Sequence, residues 1–375
     1  MSMLNALPSV LGRQPWGIIV PLTALVCFGA AVLYSAAGGH WMPWSALHIV
    51  RFFVFLVMAM VIARFSRDFI KMMALPVYIL LVLLLMAVEA MGFVGGGSQR
   101  WLNLGFMTLQ PSELMKPGIV IILARFYDLL PPGATREFRS LLVPGILIGL
   151  PVGLVLMQPD LGTSLAIVFG AIIVMFLAGL PLKWFITCGV AGVIAVPILF
   201  FFALHPYQQQ RVMTFLDPES DPLGSGYHIT QSKIAIGSGG LFGKGFGNGT
   251  QSHLNYLPEP HTDFVFATMA EEWGILGGFF VLFVFGLLLR YGLRVARDAP
   301  GRFSRLMAAG LTATIFFYTA VNLMMVMGLA PVVGIPLPFM SHGGSSMMTI
   351  MICVGLIMAV DRWGKRDMRG SFEDS

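Results

Sequence analysis

The sequence predicts an all-α polytopic membrane protein: ten transmembrane helices, with a long extracytoplasmic loop between helices 7 and 8. Three observations predict it. Of the 375 residues, 57% are hydrophobic and only 11% charged, where a soluble chain carries about a quarter charged. With a mean hydropathy of +0.82, the surplus apolar surface has to face lipid. Apolar runs of about 20 residues, the length that crosses a bilayer, recur along the chain. Finally, Lys and Arg concentrate on alternate loops.

The apolar runs cover 17–37, 46–63, 73–94, 113–130, 140–157, 162–180, 184–204, 264–290, 306–330 and 343–361. The first follows only Arg13 and is long enough to span. Ser35-Ala36-Ala37 weakly resembles a cleavage site, but more spans follow, so a first transmembrane helix is expected rather than a signal peptide. Cys27, Cys188 and Cys353 each lie inside an apolar run with no metal-ligand spacing, and read as small apolar fillers. The polar, Gly-rich stretch 205–262 is the long extracytoplasmic loop. Residues 370–375 read as a short disordered tail, and 1–375 as a single integral membrane domain.

Orientation follows the basic residues. One set of alternate loops holds seventeen of the 23: Arg13, Arg64, Arg67, Lys71, Arg125, Arg136, Arg139, Lys183, Arg290, Arg294, Arg297, Arg302, Arg305, Arg362, Lys365, Arg366 and Arg369. That side is expected to be cytoplasmic, with both termini on it. The net charge of +5 is therefore topological, and nucleic-acid binding is set aside.

The opposite face carries the unusual loops, and loops are where function concentrates. Gly95-Gly96-Gly97-Ser98-Gln99-Arg100-Trp101 leads to Gln110-Pro111-Ser112-Glu113-Leu114-Met115-Lys116, where Ser112 reads as an N-cap. Glu113 and Lys116, three apart, share a helical face. They form an ion pair, line a polar cavity, or both, since charge a full turn into a membrane helix is costly and often functional. Arg51, early in span two, either snorkels to the interface or binds an anionic group. Glu89 reads as the partner of a cation. Asp160, in Gln158-Pro159-Asp160-Leu161-Gly162, is an N-cap or a carboxylate at a cavity mouth.

Residues 226–236 read as a short interfacial helix. The run 237–249 reads as a flexible loop, because it matches neither phosphate-binding glycine pattern. In Leu257-Pro258-Glu259-Pro260-His261-Thr262-Asp263-Phe264, two prolines rigidify the approach to span eight. Thr262 or Asp263 caps that helix. Asp263, ionised beside a helix N-terminus, is also placed to accept a proton from a hydroxyl. Of Glu271 and Glu272, at most one can share the cavity of Asp263 at 100° per residue. Ser341 and His342 are adjacent, a poor geometry for a nucleophile and its base, so no hydrolase is read.

These segments together resemble the SEDS family of bacterial cell-wall proteins, which includes RodA, FtsW and SpoVE. The motifs are RWLNLG and LQPSELMK within 100–116, QPDLGTS at 158–164, GNGTQSHLNYLPEPHTDFVFATMAEEWG at 247–274 and PLPFMSHGGSS at 336–346. Gly249-Thr250-Gln251-Ser252 before Leu257-Pro258-Glu259 is most similar to the elongation member. His253, Pro260 and His342 depart from the family's usual choices.

The resemblance implies an inverting peptidoglycan glycosyltransferase of the bacterial inner membrane that polymerises lipid II. Asp263 matches the family's essential carboxylate and would act as general base. Arg51, Lys116, Arg211 and Lys233 are the cations expected to meet the pyrophosphate, and Glu113, Asp160, Glu259 and His261 are further candidate substrate-binding residues. The resemblance fixes no cofactor; a divalent cation (Mg or Mn) held by the pyrophosphate and a carboxylate such as Asp160 or Glu113 is left open. The implied partner is a class B penicillin-binding protein of the elongation machinery. The competing classes are a lipid II flippase and a structural scaffold. Against a flippase, the charges cluster at the outer ends of spans rather than near the midplane.

Overall fold

The computed structural model describes residues 15–95, 98–103, 108–131, 133–202, 209, 213–214, 225–254, 256–257 and 259–373. The chain is mostly helical. In order come α1 Trp16–Ala36, α2 Trp44–Ile62, α3 Arg67–Met91, α4 Pro111–Leu129, α5 Arg139–Met157, α6 Leu161–Leu177 and α7 Leu182–Phe202. Then follow α8 Ser225–Ser238, the single turn α9 Thr250–His253, α10 Val265–Asp298, α11 Gly301–Val326 and α12 Gly344–Glu373. Each expected apolar run coincides with a helix.

Among the described residues, seven helices are long and apolar enough to cross a membrane: α1, α2, α3, α5, α10, α11 and α12. Of the other three, α6 has 17 residues and α4 carries Glu113, Lys116, Arg125 and Asp128, while α7 is an apolar helix of 21 residues. α2 shows what surrounds the bundle. Ser45, His48, Phe52, Phe55 and Ala59 are buried, while Val50, Phe53, Val54, Val57 and Val61 are exposed. A helix apolar on its outward stripe is solvated by lipid. The chain is a multi-pass membrane protein.

α11 is the hub, packed on α4, α6, α10 and α12. At one end Asp128 of α4 accepts from Lys71 at 2.6 Å and from the Phe303 amide at 3.0 Å. This ties α3, α4 and the start of α11 together. At the other end the segments 98–103, 108–110, 158–160, 259–264 and 331–343 gather, and this is the site end.

Several sequence expectations are corrected here. α3 ends at Met91, and the chain turns into a small antiparallel sheet in the order β1-β2-β3: Phe93–Gly95, Ser98–Asn103 and Thr108–Leu109. The strands are too short to show an alternating pattern. α4 starts at Pro111 with Gln110 as its cap residue. Ser112 is therefore inside the helix, its buried hydroxyl without a partner among the described residues. α12 runs to Glu373, so the tail expected over 370–375 is helical that far, and the last two residues lie outside the described ones. Glu89 is exposed with no ion pair among the described residues. The helix expected at 226–236 is present as α8, fixed to α11 by Ser232 Oγ donating to the Val326 carbonyl at 2.7 Å.

The glycine run is a clasp rather than a free loop. α10 is interrupted at Gly274, which has φ +62° and ψ −157°, and an interrupted helix leaves backbone groups orphaned. Residues 240–245 satisfy them. The amides of Ile275 and Leu276 donate to the carbonyls of Gly240 and Leu241 at 3.0 and 3.2 Å, and those of Lys244 and Gly245 to Glu271 and Glu272 at 3.0 and 3.1 Å. Glu271, fully buried, accepts from Lys244 Nζ at 2.7 Å and the Thr250 amide at 2.9 Å. Glu272 accepts from the Ser35 hydroxyl. Glu271 thus holds the clasp, and Glu272, reached by the Gly247 and Gly249 amides, joins it to α1.

A Cβ on Gly243 would stand 2.0 Å from the Glu272 carbonyl oxygen, whereas one on Gly247 would meet nothing within 4 Å. Both have φ of +78°, which costs a side chain roughly 1–2 kcal/mol. Gly247→Ala is expected to show that strain alone. Gly243→Ala adds a backbone clash and should lower the thermal midpoint by at least twice as much. Equal shifts would remove the close approach from the account.

Candidate functional site

Asp263 lies on the turn 259–264 that leads into α10. The turn closes on its own backbone: the Thr262 and Phe264 amides donate to the Glu259 carbonyl at 3.1 and 3.4 Å. The cap residue of α10 is Phe264, with no side-chain cap, so neither Thr262 nor Asp263 stands at the cap position. Thr262 Oγ1 donates to Glu259 Oε2 at 3.1 Å. The Asp263 carboxylate is half-buried and faces Gly334, where a Cβ would come within 3.6 Å of Oδ2.

Two buried side chains hold the main chain beneath it. Asn322 of α11, fully buried, donates from Nδ2 to the carbonyls of Asp263 at 2.9 Å and Ile335 at 2.7 Å. Ser341 Oγ donates to the Thr262 carbonyl and accepts from the Leu337 amide at 2.8 Å. Removing Asn322 would leave two carbonyls without that donor. Asn322→Ala is expected to lower kcat per folded molecule by roughly 10–100-fold with KM within about twofold; a fall in kcat no larger than the loss of folded protein would mark a purely structural role.

Arg51 points inward and not out to the interface. Its guanidinium donates to His342 Nε2 at 2.9 Å. The other ring nitrogen of His342 therefore carries the proton and donates to the Trp44 carbonyl at 3.2 Å. Burial first, then Arg51, pushes His342 down to about 4, so it is neutral at pH 7 and able to accept. Trp44 stacks on His261 with ring centroids 4.2 Å apart. Burial holds His261 below its ordinary value, against the nearby Glu259.

Glu113 and Lys116 form the expected ion pair, 2.6 Å apart. Tyr318 of α11 completes it, donating to Glu113 and accepting from Lys116. Lys116 is 1% exposed and Glu113 6%, so the pair lies between α4 and α11 and lines no open cavity. Tyr318 and Asn322 are four apart, on one face of α11. One turn of that helix carries both the buried pair and the brace of Asp263.

Asp160 is the N-cap of α6: Oδ1 accepts from the Thr163 amide at 3.1 Å. Oδ2 accepts from Gln110 Nε2 at 3.0 Å and stands 3.9 Å from Arg100. Both oxygens of Asp160 and of Glu113 are thus engaged, and these carboxylates do not fit as ligands of a resident divalent cation. The loop they shape packs on the segment facing Asp263, since a Cβ on Gly162 would meet the Val333 carbonyl at 2.9 Å. Lys233 of α8 is exposed beside Gly328, past the end of α11, with no ion pair among the described residues. Arg211 lies outside the described residues. The structure therefore brings Arg51, Glu259, His261 and Asp263 into one cluster and keeps Glu113, Lys116 and Asp160 behind it.

A family model described as a cell cycle protein, FtsW/RodA/SpoVE, matches residues 15–366. The chain belongs to the SEDS (FtsW/RodA/SpoVE) family. Among other SEDS proteins, this member is 44% identical over 348 residues, 92% of each chain, to the peptidoglycan glycosyltransferase MrdB of Escherichia coli strain K12. It is 39% identical over 300 residues, 80% of each chain, to the stage V sporulation protein E of Bacillus subtilis. Its fold is similar to that of a chain from a peptidoglycan synthase complex solved for its coordination of polymerization and crosslinking. There the TM-score is 0.82 at 32% identity, over 94% of this chain and 98% of that one. The crystal structure of the rod shape determining protein RodA of Thermus thermophilus gives 0.71 at 30% identity, over 93% and 97%.

Sequence reasoning missed His342 as the partner of Arg51, and Tyr318, Asn322 and Ser341 as supports. A Tyr and an Asn one turn apart inside an apolar helix was the signal available for two of them.

Proposed function

We propose that this SEDS member is a peptidoglycan glycosyltransferase that polymerises lipid II into glycan strands, with Asp263 as the general base. The observation that carries the reading is similarity along nearly the whole chain to a peptidoglycan glycosyltransferase. The braced carboxylate of Asp263 supplies a group able to do the chemistry.

Asp263 takes the proton of the acceptor's sugar 4-hydroxyl. That oxygen attacks the donor's anomeric carbon, its bond to the phosphate oxygen breaks, and undecaprenyl pyrophosphate leaves with inversion. A pyrophosphate needs positive charge rather than a general acid. Of the expected cations, Lys233 is exposed to meet it and Arg51 stands near Asp263 through His342, while Lys116 is committed to Glu113. Glu113, Lys116 and Asp160 support the site from behind. Ten spans with both termini in the cytoplasm would put the site end on the outer face of the inner membrane, as the basic-residue asymmetry supports. A class B penicillin-binding protein would crosslink the product.

The test is polymerisation of purified lipid II by the purified protein in detergent, with and without such a partner. Polymer formed there supports the reading, because no membrane remains to flip across. Lipid II translocation in vesicles with no polymer under either condition would overturn it in favour of a flippase.

A further inference from the structure

We propose that the cleft between the α1–α2 turn and residues 252–261 is a subsite for a neutral saccharide, the acceptor's sugar. Which sugar it takes rests on the glycosyltransferase reading; that it takes a saccharide rests on its lining. The cleft has a volume of about 430 Å³ and is walled by Gly38, His40, Trp44, Ser252, His253 and His261, together with Ala36, Ala37 and Met42. The volume suits a small ligand, for which sites span roughly 300–1,000 Å³.

The lining narrows the chemistry. Among the described residues no Lys, Arg, Asp or Glu lines it, so a pyrophosphate or a peptide carboxylate would enter without a permanent counter-charge. A prenyl tail would strand the polar walls. What remains is an uncharged ligand that offers both hydrogen-bonding groups and an apolar face, which describes a sugar. The apolar face has a platform in Trp44, whose indole is held nearly parallel to His261, 13° between planes.

Two buried polar atoms of the lining residues have no partner among the described residues. Ser252 is 2% exposed and its hydroxyl has no hydrogen-bond partner among the described residues, and neither has His261 Nδ1. Buried polar groups are ordinarily satisfied, and exceptions call for an explanation. A saccharide hydroxyl or acetamido group would supply it. His253, by contrast, is already spent on the Ser35 carbonyl at 2.7 Å. The cleft also lies where an acceptor should. His261 is two residues before Asp263, so their α-carbons are within about 7 Å.

The experiment uses the full chain in detergent and two readouts. The first is saturation-transfer NMR with N,N′-diacetylchitobiose, a soluble neutral disaccharide. Transfer is expected with the wild type and with Asp263→Asn, and is expected to vanish with Trp44→Ala. The second is lipid II kinetics, where Trp44→Ala should raise KM at least tenfold and Ser252→Ala about threefold, with kcat within threefold. Trp44→Phe keeps a platform and should restore most of the affinity, separating lost stacking from misfolding. Unchanged transfer in Trp44→Ala together with unchanged KM in both Ala variants would overturn the subsite while polymerisation stands. Trp44-dependent transfer by a protein that never polymerises lipid II would keep the saccharide site and overturn the glycosyltransferase reading.

Discussion

Asp263→Asn is expected to abolish glycan polymerisation from purified lipid II, lowering kcat by roughly 10²–10⁴. The amide keeps the size of the side chain and cannot take a proton. The fold should tolerate it, because Asn322 holds the main-chain carbonyl of this residue and the substitution leaves that bond in place. The thermal midpoint in detergent is therefore expected within a few degrees of the wild type, since the amide matches the carboxylate in size and opens no cavity. Asp263→Glu keeps the charge but displaces it by one methylene, and should retain a small residual rate. A base that must be ionised gives a rate that rises with pH on the acidic limb, and the residual activity of the Asn variant should lack that limb. Full polymerisation by Asp263→Asn would end the assignment of this carboxylate.

Lys116→Met is the second large effect. It leaves the buried Glu113 carboxylate with Tyr318 as its hydrogen-bond donor and no counter-charge. Breaking one side of a buried pair costs about 3–5 kcal/mol, whereas replacing both sides with apolar groups is often close to neutral. Lys116→Met should therefore be worse than Glu113→Leu combined with Lys116→Met, measured as thermal midpoints of the purified proteins. Because Tyr318 and Asn322 share a face of α11, polymerisation should fall along with stability in the single variant. A double variant as damaged as the sum of the singles would show that the two side chains act independently.

The fold class was legible because lipid exposure is written in composition and run length. Every apolar run became a helix, and the cap at Asp160 followed from its place before one. What was not legible depended on contacts far apart in the chain. Gly237 to Gly249 looked like a flexible loop because nothing in its composition shows that Gly243 must pass within van der Waals contact of the Glu272 backbone. The paired carboxylates at 271 and 272 looked functional, and they are explained by a clasp that only exists once α10 is interrupted. Arg51 and His342 are 291 positions apart, a separation no local pattern bridges. Thr262 and Asp263 were expected to cap α10 because their residue types favour it, and Glu259, with φ of +46°, turned the chain so that its own carbonyl closed the turn instead. The candidate base itself was visible, while its supports on α11 and in the 335–341 segment were not.

The four-residue interval between Tyr318 and Asn322 works as a ruler. It sets the separation of the buried ion pair from the base's backbone at about 6 Å along the helix axis, with both on one bearing. Inserting or deleting a single residue inside that interval would rotate one member away from the other by about 100°. Either the pair or the brace would then be lost, however mild the chemistry of the added residue. Sequence drift at positions 319–321 can therefore proceed by exchange of side chains, whereas any change in the length of that stretch is closed to a working enzyme.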